Sequence, residues 1–319
     1  MAQNVVSGAL TYVNYGYETT FGTVAASFPK SFGHGTKVSL TYKNNQERIF
    51  GVGARNASTS QAKKFEGSAN VEFALSHCNF LRGVLGTVDS SSTPTYTEAN
   101  TVPSFSMQVG SELGTNDAVM NLLGCKVNSM TLNASVGEMV RITLDVLFAD
   151  TTVTASSIGS AVALAHDPYT FAGGVLELPT GSTLAYVQSL EYNLNNNLEY
   201  LWGIGSRKAV AGVEKTREHN FKFTLAFTDP SIVIPNLFGD ASDAYTPSAT
   251  GNSTVYATLK LTFTNGAKNI VMTFANVYLD EDTINFDVNE FNKADVTGHA
   301  LSCTNMVWTN GGSTDNATP

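Results

Sequence analysis

The most regular feature of the chain is an alternation of apolar and polar residues with a period of two. Val38, Leu40 and Tyr42 alternate with Lys37, Ser39 and Thr41, and Val71, Phe73 and Leu75 alternate with Asn70, Glu72 and Ala74. The same pattern recurs at Ile142–Phe148, Phe221–Phe227, Leu259–Phe263 and Ile284–Val288. Successive side chains of a strand point to opposite faces, so each segment predicts a half-buried antiparallel strand with one face on a core. Asn265-Gly266 sits between two such runs and predicts a type I′ hairpin. Helical signals are few. Ser76 is placed to cap a short helix running to Gly86, and Asp229-Pro230 to start a second one ending at Gly239. The expected class is all-β, a sandwich or barrel with one short helix per repeat.

The order of these elements repeats. Gly51-Val-Gly53-Ala-Arg55 is matched by Gly203-Ile-Gly205-Ser-Arg207, and Val119-Met120 by Val271-Met272, each 152 positions on. Tyr42-Lys-Asn-Asn45 is matched by Tyr192-Asn-Leu-Asn195, and the strand centred on Phe73 by that on Phe223, 150 positions on. Several matches in one order at nearly one offset predict two tandem copies of a β-domain. The expected boundaries are 1–155 and 156–308, with 309–319 as a flexible tail and the Ser-, Thr- and Ala-rich stretch 149–165 as the connection.

Composition narrows the function. Apolar residues make up 42% of 319, enough for a core, while charged residues are only 14%, so Ser, Thr, Asn and Gly must cover the surface. That surface suits a chain that buries its outside against copies of itself. The net charge is −9, nearly all of it in the second half. An acidic chain whose longest basic cluster is Lys63-Lys64 is unsuited to tight nucleic-acid binding, which draws on Lys and Arg displacing counterions. No run approaches the roughly 18 apolar residues of a membrane span, and Met1-Ala2-Gln3-Asn4 does not open a secretory leader.

Catalytic patterns are missing. Gly51-x-Gly53 lacks the third glycine and the following helix of a phosphate loop, and a strand-end turn before a polar loop, Asn56 to Gln61, is the simpler reading. His34, His77, His166, His219 and His299 are scattered, and Cys78, Cys125 and Cys303 lack zinc spacing, so Cys78 reads as a buried thiol. Asp280-Glu281-Asp282 is either a hard-cation site or a solvated turn. No catalytic, cofactor or metal residues are assigned, and no enzyme activity is expected.

Several segments resemble the major tail proteins of tailed viruses, the tail tube subunits. They are Tyr15-Gly-Tyr-Glu18-Thr-Thr-Phe-Gly22-Thr23, Gly124–Ser135 with Gly137–Asp145, Pro168–Gly173, and Asn195–Glu199 with Gly203–Arg207. The resemblance spans roughly Tyr12 to Trp308. It implies a structural virion protein whose β-sandwich domains join edge to edge into stacked rings forming a tube for genome delivery. A two-domain chain would need three copies for a pseudo-hexameric ring. The implied partners are further copies of the chain, a tape measure protein, a tail terminator, distal tail proteins and genomic DNA in transit, with no membrane; synthesis is expected in the host cytoplasm. Arg55, Lys63, Lys64, Lys208, Lys215 and Arg217, in or beside the repeated loops, are the expected ring-to-ring contacts. Asp145, Asp287 and Glu290 are the expected acidic lining of the channel, where like charge keeps DNA from sticking. The inner tube of a contractile injection machine and a tandem carbohydrate-binding or adhesin sandwich fit the same pattern.

Overall fold

The computed structural model describes residues 11–89, 93–111, 118–154, 166–184, 186–226, 256–286 and 292–309. The first half of the chain forms β1 (Thr11–Tyr17), β2 (Lys30–Ser31), β3 (His34–Lys43), β4 (Gln46–Phe50), β5 (Ala57–Ala62) and β6 (Glu66–Ala74). A helical turn, α1 (Leu81–Leu85), precedes β7 (Gly86–Asp89), β8 (Thr95–Glu98), β9 (Phe105–Ser111), β10 (Ala118–Ser135), β11 (Arg141–Phe148) and β12 (Asp150–Thr154). The second half forms β13 (Gly174–Glu177), β14 (Val187–Asn195), β15 (Glu199–Trp202), β16 (Ala209–Val213), β17 (Glu218–Ala226), β18 (Tyr256–Asn265), β19 (Lys268–Asn285) and β20 (Lys293–Thr309). The fold is all-β, as the alternation predicts.

Ten of these strands make one continuous antiparallel path, β13-β18-β19-β20-β17-β14-β10-β11-β6-β3, in which β18 covers β19 only as far as Val277; the eight strands from β19 to β3 form its main run. The two halves of the chain meet inside it, where β10 pairs β14 from Ser129↔Asn195 to Ser135↔Ser189. A second layer is built from β1, β9 and the first part of β10, with β2 and β12 beside them. β10 passes from one layer to the other at Gly124, whose φ of 62° suits a residue without a Cβ. The core lies between the layers: Phe32 of the second packs against Phe73 of the first, ring centroids 5.8 Å apart. It is contiguous across both halves, from Val13 through Phe73 and Ile142 to Phe223 and Trp308.

Three local expectations are corrected. The helix is one turn starting after Phe80, not at Ser76; the Ser76 hydroxyl is buried without a hydrogen-bond partner among the described residues. The β18–β19 hairpin forms, but its central residues are Gly266 and Ala267, and only Gly266 has positive φ, so the turn is not type I′. The polar stretch after Gly53 is not a loop but the return strand β5, paired with β4 from Gln46↔Ala62 to Phe50↔Ala57. The second expected helix, at 229–239, lies outside the described residues.

Candidate assembly surfaces

The run from β19 to β3 has one apolar and one mainly polar face, as the registers show. One cross-strand row reads Lys37, Glu72, Thr143, Thr131, Asn193, Asn220, His299. The next reads Ser39, Asn70, Asp145, Ser129, Asn195, Glu218. These stretches carry no apolar side chain; the first row reaches Tyr278 on β19, and the neighbouring row, Thr41, Ser68, Leu147, Lys126, carries one leucine. The charges mix in sign: Glu72 takes Arg141 at 3.0 Å and Lys37 at 3.5 Å, and Asp145 accepts from Asn128 Nδ2 at 2.9 Å. Asp145 therefore lies on the polar face, as the alternation places it. Asp287 and Glu290 lie outside the described residues.

Two hairpin arms rise from the sheet, β4–β5 and β15–β16. The second is clamped onto the first half. Tyr200 donates its phenol to the carbonyls of Gly124 (2.5 Å) and Leu147 (2.7 Å). Trp202 Nε1 donates to Phe65 O at 3.1 Å, and Tyr200, Ala209 and Ala149 form a satellite apolar cluster with Leu147, Phe21 and Trp202 beside it. Lys126 on β10 meets Glu214 at 2.7 Å, both side chains at most 10% exposed, and also donates to Gly212 O. Burial alone would raise the Glu214 carboxyl, but hydrogen bonds from Lys126 and the Val102 amide hold it below its usual range. None of these clamping contacts was anticipated from sequence, because a Tyr or Lys in a polar stretch carries no period. The first arm has no such seat among the described residues. Every residue of β4 is exposed, Phe50 at 61%.

The expected contact residues separate accordingly. Arg55 is exposed at the tip of the first arm. Lys63 pairs with Glu47, and Lys215 with Glu199, all half-exposed. Lys64 bonds Glu66 at 2.7 Å and stacks over Trp202, and Lys208 meets Asp150 at 2.5 Å. Arg217 turns inward: it donates to Asn196 Oδ1 at 2.9 Å and to Ala99 O at 2.9 Å, and lies 3.8 Å from Glu98. Glu98 also takes His219 at 2.7 Å and the Cys303 amide at 3.0 Å, and these bonds outweigh its burial and hold its carboxyl below the usual range. The acidic triplet splits up: Asp280 accepts from His299 at 2.9 Å, while both Asp282 oxygens are buried without a hydrogen-bond partner among the described residues.

Comparison with known families now bears on these surfaces. The model of one family, described as phage tail tube protein, matches residues 8–301. The chain belongs to this family. No curated protein matches it. A phage tail tube protein is a structural component of the virion tail and assembles with copies of itself into a tube. The motif that carried the resemblance has a structural task here. Glu18 accepts from the amides of Gly22 (2.9 Å) and Gly124 (2.8 Å) and from the Ser106 hydroxyl (2.7 Å), so it pins the loop after β1 to the bend of β10. In the tube protein as a single chain, the first arm and the outer edges of β3 and of β19 beyond Val277 stay uncovered by described residues.

Proposed function

We propose that three copies of the chain close into a pseudo-hexameric ring, that rings stack into the tail tube, and that genomic DNA passes through its lumen. The observation that carries this reading is the unbroken antiparallel run from β19 to β3, with one mainly polar face and two uncovered edges, β3 on one side and β19 beyond Val277 on the other. Three copies supply about 24 strands; at ~4.8 Å spacing and ~40° tilt these close at a backbone diameter of roughly 48 Å. The polar rows then line the channel, Asp145 among them, with Asp287 and Glu290 in the same role. Their mixed, mutually paired charges leave no cationic stripe on which a phosphate backbone would lodge.

The pseudo-hexamer follows from two tandem tube domains, 1–155 and 156–308. Residues 152 apart support that reading. Asn45 and Asn197 have φ of 45° and 47°, and each donates through Nδ2 to a carbonyl at the foot of its arm, Lys64 O and Thr216 O. Gly124 and Asn276 both have positive φ, and bulges fall between Val127 and Ser129 and between Leu279 and Glu281.

Between rings we assign the contacts to the exposed Lys63 and Lys215 and their loops, with Lys64 and Lys208 behind them. The inward network of Arg217 fits a supporting role. The remaining partners of such a tube are the tape measure protein within it and the terminator and distal tail proteins at its ends. Light scattering and negative-stain microscopy of the purified protein test the reading: rings of three chains, or tubes built from them, are expected. A strict monomer well above micromolar concentration overturns the tube, and a ring of six chains overturns the symmetry. Lys63→Glu with Lys215→Glu should shorten tubes while rings persist; unchanged length removes these lysines from the ring-to-ring contact.

A further inference from the structure

The geometry points to a defined seam between copies: the β19 edge of one chain pairs with the β3 edge of the next in the register that β10 and β14 show within the chain, and the first arm seats on the neighbour around Leu301. This rests on the ring proposed above and fixes which residues meet. Carrying Thr131↔Asn193 forward by 152 positions in β10, and back by 152 in β14, sets Thr283 opposite the neighbour's Thr41. Leu132↔Tyr192 likewise becomes Ile284 opposite Leu40, two half-buried apolar residues on open edges. The strands run antiparallel, as the run of eight requires.

Two features of the uncovered edges match this register independently of how it was obtained. Ser129↔Asn195 becomes Glu281 opposite Lys43, an opposite-charge pair directly across the seam. Met130↔Leu194 becomes Asp282 opposite Tyr42, and Asp282 is the residue whose two buried carboxyl oxygens have no hydrogen-bond partner among the described residues. A phenol across the seam supplies a donor where the single chain has none.

The arm follows the same transfer. Within the chain, Trp202 packs in the cluster containing Ala149, and Arg207 Nε donates to Lys63 O at 2.7 Å. The corresponding residues are Phe50, Leu301 and Arg55, with Lys215 O as acceptor. Phe50 and Leu301 are each 61% exposed in one chain, large apolar side chains on surfaces whose counterparts are covered.

Disulfide trapping in the full-length protein tests the register. Cys78, Cys125 and Cys303 are buried and free, so they do not compete. Thr41→Cys with Thr283→Cys, assembled and mildly oxidised, should give covalent dimers and closed trimers on non-reducing gels. Lys37→Cys with Thr283→Cys is four residues, about 13 Å, out of register and should not cross-link, since bridged Cα atoms lie within ~7 Å. Equal cross-linking of both pairs, or none in the matched pair within visible tubes, overturns the register while leaving the tube intact. Failure of the unsubstituted protein to form rings or tubes overturns both. Phe50→Asp changes an exposed side chain, so the single chain should keep its melting temperature while ring formation weakens at least about tenfold. Rings at the parental concentration would overturn the seating of the arm.

Discussion

Gly67 shows how little room the sheet leaves for a single methyl group. A Cβ there would lie 2.1 Å from the Phe148 ring, which is itself fully buried. Gly67→Ala should lower unfolding free energy by about 1–3 kcal/mol, read as a lower urea midpoint at unchanged slope. His77 sets a different limit. Burial, reinforced by neighbouring His166 and His34, lowers its pKa to about 4 from 6.5. A depressed histidine favours the neutral folded form, so its contribution is complete above pH 6.5 and is lost as pH falls toward 4. A shift of that size corresponds to roughly 3 kcal/mol. Thermal unfolding of the protein between pH 7 and pH 4 should show this loss, and His77→Gln should flatten it. The depressed carboxyl of Glu98 adds its own loss below the ordinary carboxylate range.

The two arms differ as elements because one carries its clamp within the chain. Glu214→Gln would leave Lys126 buried without its counter-ion, at a cost of about 3 kcal/mol in unfolding free energy. Replacing both partners, Lys126→Met with Glu214→Leu, should recover most of that stability in the same denaturation assay. Which elements could be read from sequence has a physical pattern. β6, β11 and β17 were legible because each has one face on the core, giving strict alternation. The 18-residue strands β10 and β19, the last residues of β19 apart, were not, because positive-φ residues at Gly124 and Asn276 and the bulges beyond them shift the phase of the alternation partway along. β5 carries no core face at all, so its polar sequence read as a loop. The polar face was implied by the alternation, whereas the clamp of the second arm and the edge of β19 depend on pairings between distant strands.

At the scale of the whole molecule, the two open edges are different surfaces, β3 at one end of the path and the part of β19 beyond Val277, past the reach of β18, on the other side. A contact between unlike surfaces is directional, and it closes only when every copy presents both. A defective copy is therefore not a passive absentee. A chain carrying Phe50→Asp keeps an intact β19 edge, joins a growing ring through it, and leaves the far side unfinished. If incorporation is random, closed rings fall as the cube of the intact fraction, so an equal mixture should retain roughly one-eighth of them. Titrating the variant into the parent protein and counting closed rings by microscopy measures that exponent. A linear decline would mean that rings tolerate a blocked seam. The cubic one would make the edge geometry a dominant poison: a small dose of a chain terminator, whether a mutant subunit or an extended peptide copying residues 34–43, would stop far more assembly than its own share.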